Sequence, residues 1–238
     1  EVQQRDMTLV DALLRRASIQ ARWGNGEAAE WLLQQVLWRE PGSLAALGLR
    51  AQVLLDLGRT REARIQLHAC LQRDPADSEL WRLLAVALRQ HSRHLVAMRW
   101  LAHALHLAPD NIEALRMQAW MELERGDATK AARTVRHLLT LRPQDHAARV
   151  QAAFVFAAAG DAALAANFAE DSVVANPQDP EAWRALSQVR YQQLRLEDAE
   201  HAIDVALQLR PSQVDSLRQL GWILIADQRP AHAQLAFL

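Results

Sequence analysis

Apolar residues recur at three- and four-residue steps in paired stretches separated by a short break, the pattern of amphipathic helices rather than of strands. A longer period lies over it. Pro41, Pro75, Pro109, Pro143, Pro177 and Pro211 each follow the last by 34 residues. With proline at position 32, the repeating units are 10–43, 44–77, 78–111, 112–145, 146–179 and 180–213. A partial unit covers 214–238, and residues 1–9 form a lead-in. Position 20 is then Ala29, Ala63, Ala97, Ala131, Ala165, Ala199 and Ala233. Position 8 is also small throughout: Ala17, Ala51, Ala85, Ala119, Ala153, Ser187 and Gly221. Two such columns are expected where helices cross too closely to admit a larger side chain.

The punctuation predicts two helices per unit. The break at position 15 is Gly24, Gly58, Gly126 and Gly160 in four units, where glycine can end a helix in the left-handed region. Leu194 and Gln228 replace it later in the chain. Position 34 supplies Ser43, Asp77, Asn111, Asp145 and Asp179 as N-caps, with Gln213 the exception. Pro180 follows Asp179 at the first helical position, where its missing N–H costs nothing. Arg149 at core position 4 and the small Ala169 at position 24 predict that unit five buries less apolar area than its neighbours.

Composition narrows the class. Half of the 238 residues are apolar and 23% charged, as in a globular chain and unlike a disordered one. A net charge of −1 gives no general pull towards nucleic acid, so no nucleic-acid partner is expected. The single cysteine, Cys70, excludes an internal disulfide framework and reads as a small packed hydrophobe. The longest apolar stretch, around Ala152 to Ala159, falls well short of a membrane span, so this segment is not expected to insert directly. The start at Glu1 and the stop in mid-unit predict an excised or processed piece of a longer array.

These columns resemble the tetratricopeptide repeat family, which pairs Trp or Leu at position 4 with small residues at 8 and 20 and proline at 32. Position 4 here is Leu13, Leu47, Trp81, Leu115, Arg149, Trp183 and Leu217. The resemblance covers about Val10 to Leu238 and implies an all-α fold, a right-handed solenoid of antiparallel helix pairs whose first helices line a concave groove. Stacking is also required physically, because a lone helix pair cannot bury its apolar face.

No catalytic chemistry is visible. Gly24 and Gly26 lack the rest of a phosphate loop, and there is neither a nucleophile elbow nor a zinc-protease helix. His91, His94, His103 and His106 form two His-x-x-His pairs, but no Cys or carboxylate pattern completes a tetrahedral set. The expectation is therefore no enzyme activity, no metal and no cofactor.

In the groove that the resemblance implies, position 5 carries Arg82, Arg116, Arg184 and Arg218, position 9 carries Trp120, Phe154 and Trp222, and position 12 adds Tyr191. Arginine and aromatic residues suit partner binding, through bidentate bonds and large rigid contact area. Each arginine also follows an acid by three residues (Glu79, Glu113, Glu181, Asp215), so local surface pairing is the competing account. Trp31 and Trp38, seven residues apart on one helix, form a possible second patch. Leu14, Ser18, Gly48 and Gln52 stand where family members that grip chaperone tails carry Lys and Asn, so that clamp is missing.

The arginine-rich array further resembles the periplasmic scaffolds of Pel-type bacterial exopolysaccharide export proteins. That likeness implies a periplasmic, biofilm-related scaffold that recruits a polysaccharide deacetylase or hydrolase to a secretion complex. Two alternatives stay open: direct guidance of a polysaccharide in the groove, and a regulatory domain of a larger enzyme. The sequence leaves the oligomeric state undefined.

Overall fold

The computed structural model describes residues 2–90, 94–229 and 232–233. Among the described residues every regular element is a helix, and there are thirteen. The first helices of the repeats are α1 (Val2–Arg22), α3 (Leu44–Asp56), α5 (Ser78–Gln90), α7 (Ile112–Glu124), α9 (His146–Ala158), α11 (Pro180–Gln192) and α13 (Val214–Ala226). The second helices are α2 (Gly26–Arg39), α4 (Thr60–Arg73), α6 (His94–Leu107), α8 (Ala128–Leu141), α10 (Ala162–Ala175) and α12 (Leu196–Leu209). The lead-in is not a separate segment, since α1 runs unbroken from Val2. The chain divides into two compact units, Glu1–Ala114 and Leu115–Leu238.

Helix starts follow from the caps. The side chains of Ser43, Asn111 and Asp145 accept from the N–H three residues on, at 3.4, 3.0 and 3.2 Å. Asp77 accepts from Glu79 and Leu80, and Asp179 from Glu181. These bonds satisfy donors that the first helical turn leaves open. Gln213 does not cap; its amide donates to Glu181 instead. Gly24, Gly58, Gly126 and Gly160 all have φ between 75° and 82° at the turn. Leu194 and Gln228 adopt the same left-handed backbone at φ 59°, so the turn survives the loss of glycine.

The alanine column is the seam of each pair. Ala29, Ala63, Ala97, Ala131, Ala165 and Ala199 are wholly buried. In the first unit Ala17 and Ala29 share a core with Leu32, Leu33 and Val36, and Ala46 and Val53 of the next repeat close it. A buried carboxylate, Glu30 on α2, is held by Arg50 from α3 at 3.0 Å and by Arg59. Where serine replaces alanine at position 8, Ser187 Oγ donates to the Ala199 carbonyl at 2.8 Å. Trp at position 4 is tied to proline at position 32: the indole N–H groups of Trp81 and Trp183 donate to the Pro75 and Pro177 carbonyls, both at 2.8 Å.

Unit five departs from the expectation of weak packing. Every residue of α9 from Val150 to Ala157 is buried, and these side chains form the centre of the larger core of the second unit. Phe156 stacks on Phe168 with centroids 5.6 Å apart, so two rings supply the volume that Ala169 lacks. Arg149 does not enter the core as a bare charge, because its guanidinium meets Asp171 at 2.6 Å.

Candidate functional site

Seven of the proposed contact residues, Arg116, Trp120, Phe154, Arg184, Tyr191, Arg218 and Trp222, lie in the second unit, on α7, α9, α11 and α13. They fall into two groups. In the first, the side chains are spent on each other. Arg184 donates twice to Glu181, at 3.0 and 2.7 Å, while its guanidinium carbon lies 4.3 Å from the centroid of the Phe154 ring. Phe154 in turn tilts against Trp120 at 5.7 Å. A cation over an aromatic face gains most where water is excluded, and here Arg184 keeps only 18% of its side-chain exposure and Phe154 8%. Phe154, expected at the contact surface, is therefore a core residue that forms the seat of Arg184.

Arg116 reaches Asp145, the cap of α9, at 3.3 Å. Glutamines at position 6 stitch successive first helices together. Gln151 Nε2 donates to the Arg116 carbonyl at 2.9 Å, and Gln219 Nε2 to the Arg184 carbonyl at 3.1 Å. Such bonds fix the spacing of the arginine column without using its charges.

The second group is open. Arg218 makes a 2.7 Å pair with Asp215 and remains 63% exposed, the geometry of a surface ion pair of little net worth. It borders a pocket of about 240 Å³ whose walls are Arg184, Gln188, Tyr191, Gln219 and Trp222, with Asp215 at its edge. Arg184 rests on Phe154 thirty residues upstream, whereas the residue thirty upstream of Arg218 is Gln188, which offers no ring. An aromatic face, a phenol, two amides and an exposed guanidinium then converge on one concavity, the composition of a recognition pocket. The sequence pattern pointed to Arg218, Tyr191 and Trp222 but gave no signal for Gln188 and Gln219, whose role depends on register between repeats.

Arg82 lies in the first unit. It donates to Glu79 at 2.8 and 2.5 Å and to Gln52 at 3.3 Å, and is only 12% exposed. Local acid–base pairing thus occurs at Arg82, Arg184 and Arg218, as the competing account required. Trp31 and Trp38 both stand exposed on α2, Trp38 with the Arg39 guanidinium 5.6 Å from its ring. Trp23, at the turn before α2, is exposed as well, and no repeat column marks it.

No other chemistry is assembled among the described residues. His91 lies outside them. His103 sits edge-on to Trp81 at 4.8 Å, and no group of three His, Cys, Asp or Glu residues is arranged to hold a metal. Cys70 is buried and burial pushes its thiol pKa up, the opposite of an activated nucleophile. No described helix is long and apolar enough to cross a membrane.

Helices paired on a 34-residue period define the class of helical-repeat proteins. Two tetratricopeptide repeat models match residues 23–87 and 150–214, together more than half of the chain. The chain belongs to the tetratricopeptide repeat family. No curated protein sequence matches it. Among solved structures it is similar to a tetratricopeptide repeat protein from Parabacteroides merdae, with 16% identity over 97% of this chain and 91% of that one and a TM-score of 0.72. It is also similar to the type IV pilus biogenesis factor PilW, at 20% identity over 82% and 90% of the two chains and a TM-score of 0.70. Against the Cut9–Hcn1 structure the identity is 14% over 92% of this chain and 44% of that one, with a TM-score of 0.78. At these identities the likeness is one of fold. No catalytic family is indicated.

Proposed function

We propose that the chain is a non-catalytic scaffold that holds a partner protein at the pocket between α11 and α13. The observation that carries this reading is the contrast within the arginine column. Arg184 is locked over Phe154, whereas Arg218 stands exposed beside Trp222 and Tyr191 at the mouth of a concavity. The finer reading is that the partner is a polysaccharide-modifying enzyme, a deacetylase or hydrolase, held at a periplasmic exopolysaccharide secretion complex. Its support is the likeness of the arginine-rich array to such scaffolds. The shared fold of PilW, a type IV pilus biogenesis factor, is compatible with a role in envelope assembly.

The test is capture of a partner from the native host, its identification, and titration against single variants. Arg218→Glu is the clean charge reversal, because the same change at Arg184 would set a second carboxylate beside Glu181 over a buried ring. Loss of capture with unchanged helicity is the expected result, since a like charge facing an acidic partner surface costs rather than gains energy. Trp222→Ala should cost about 1–2 kcal/mol of affinity if the ring is a buried anchor. Unchanged affinity in both variants would remove the pocket from the interface. Binding of purified polysaccharide with no protein partner would favour sugar guidance instead.

A further inference from the structure

α2 has a buried face and an apolar exposed one. Ala29, Leu32, Leu33 and Val36 are buried against α1 and α3. With a helical turn every 3.6 residues, Trp31 and Trp38 point about 160° away from the mean direction of these four. They are 62% and 81% exposed. The contacts that stack the next repeat on this one run through the buried face, so stacking leaves both indoles in water. The corresponding positions are Ile65 and Gln72 in α4, and Arg99 and His106 in α6; among the six second helices only α2 carries a large apolar residue at both.

The polar residues on this face follow the same geometry. Glu27, Trp31, Gln34 and Trp38 are spaced by four, three and four residues, the spacing that lines up one seam of a helix for packing against another helix. Glu27 opens the exposed stripe and Arg39 closes it, and both are exposed. Among the described residues neither makes an ion pair: Arg39 only donates to the Gln35 carbonyl at 3.0 Å and lies by the Trp38 ring, which leaves most of its five N–H donors open. An acid at one end and a base at the other make the stripe complementary to an antiparallel copy of itself. With the two-fold axis between Gln34 and Gln35, Trp31 faces Trp38 of the second copy. Glu27 and Arg39 of the second copy are then offset by about 4–5 Å along the axis, within reach of their side chains.

We propose that the exposed face of α2 is a two-fold interface, on which a second copy of this chain lays its own α2 antiparallel. The four indoles supply the area. If a free tryptophan offers about 250 Å², Trp31 and Trp38 present roughly 350 Å² per copy, which is close to half of the about 800 Å² per partner that a stable interface buries. Glu27, Gln34 and Arg39 flank the rings, and the crossed acid–base pairs fix the antiparallel direction. The interface shares no residue with the pocket at Arg218.

Sedimentation equilibrium of the full chain tests it. A monomer–dimer equilibrium is the expected result. Trp31→Ala with Trp38→Ala should weaken the dimer at least tenfold, as loss of buried anchors does, with helical content unchanged because both rings are exposed in the monomer. Glu27→Arg alone, and Arg39→Glu alone, should each weaken it too, since each sets like charges across the axis twice. The two together should restore it, a rescue that a merely structural role for either residue does not give. Gln34→Cys, beside the axis, should yield a disulfide-linked dimer on mild oxidation, and Cys70 is buried and gives no background. A chain that stays monomeric at high micromolar concentration would overturn the proposal, as would a dimer indifferent to the tryptophan variants or a charge swap that fails to rescue. A monomer whose tryptophans instead bind phosphatidylcholine–phosphatidylglycerol vesicles would overturn it by assigning the face to a lipid surface.

Discussion

Leu194→Gly should stabilise the protein although it removes a large apolar side chain. Leu194 sits at φ 59° in the turn between α11 and α12 and is 83% exposed, so its side chain buries little that could be lost. The left-handed region costs a residue with a Cβ about 1–2 kcal/mol. Against this, glycine gains freedom in the unfolded chain, which offsets about 0.4–1 kcal/mol. The balance is about 0.5–1 kcal/mol in favour of glycine. The turn at Gly160 provides the calibration, because it repeats the geometry with the opposite residue. Leu194 N–H donates to the Tyr191 carbonyl at 3.0 Å, and Gly160 N–H to the Ala157 carbonyl at 3.2 Å. A Cβ added at Gly160 would meet nothing within 4 Å, so Gly160→Ala tests backbone conformation alone and should lose a similar amount. In thermal denaturation a change of about 1 kcal/mol moves the midpoint by about 2–4 °C in a chain of this size. Because stacked repeats open locally, hydrogen exchange of the α11 and α12 amides should accompany the melt. If Gly160→Ala destabilises while Leu194→Gly fails to stabilise, the leucine side chain contributes a contact that its exposure hides, and the strain account is wrong.

Two further outcomes follow from the packing. Trp183→Phe deletes the donor to the Pro177 carbonyl and should cost about 0.5–1.5 kcal/mol by chemical denaturation; no measurable loss would uncouple tryptophan at position 4 from proline at position 32. Cys70, buried on α4 with its thiol pKa pushed up by burial, should resist alkylation at mildly alkaline pH until denaturant is added; reaction at the rate of a free cysteine in the native chain would contradict the packing of α4.

The columns of the 34-residue period made the helices legible because they record contacts inside a pair. The seven alanines of position 20 are buried where the period says they should be, and the first helices of the later repeats begin at Leu44, Ser78, Ile112, His146, Pro180 and Val214. The expectation of weak packing in unit five fails because it takes Arg149 and Ala169 as deficits without their compensations. The Phe156–Phe168 stack and the Arg149–Asp171 pair join residues outside any consensus column, so a column-by-column reading has no means of finding them. The contact face was only half legible for a related reason. Sequence shows which residues occupy positions 5 and 9, but not that position 5 of one repeat lands on position 9 of the repeat before.

That offset sorts the face into scaffold and site. Arg184 lands on the Phe154 ring and Arg82 on the Gln52 amide, each partner thirty residues upstream, and both arginines are largely withdrawn from solvent. Arg218 stays exposed beside a pocket although a glutamine, Gln188, stands thirty residues upstream of it just as Gln52 does of Arg82, so the residue at position 9 does not by itself decide exposure. Placing at Gln188 the kind of ring that Phe154 offers Arg184 tests how far position 9 controls the arginine that follows it. Gln188→Phe should draw Arg218 onto a ring, lower its exposure towards that of Arg184, and weaken any partner that depends on it. A fully exposed Arg218 in that variant would show that the offset alone does not govern the arginine column.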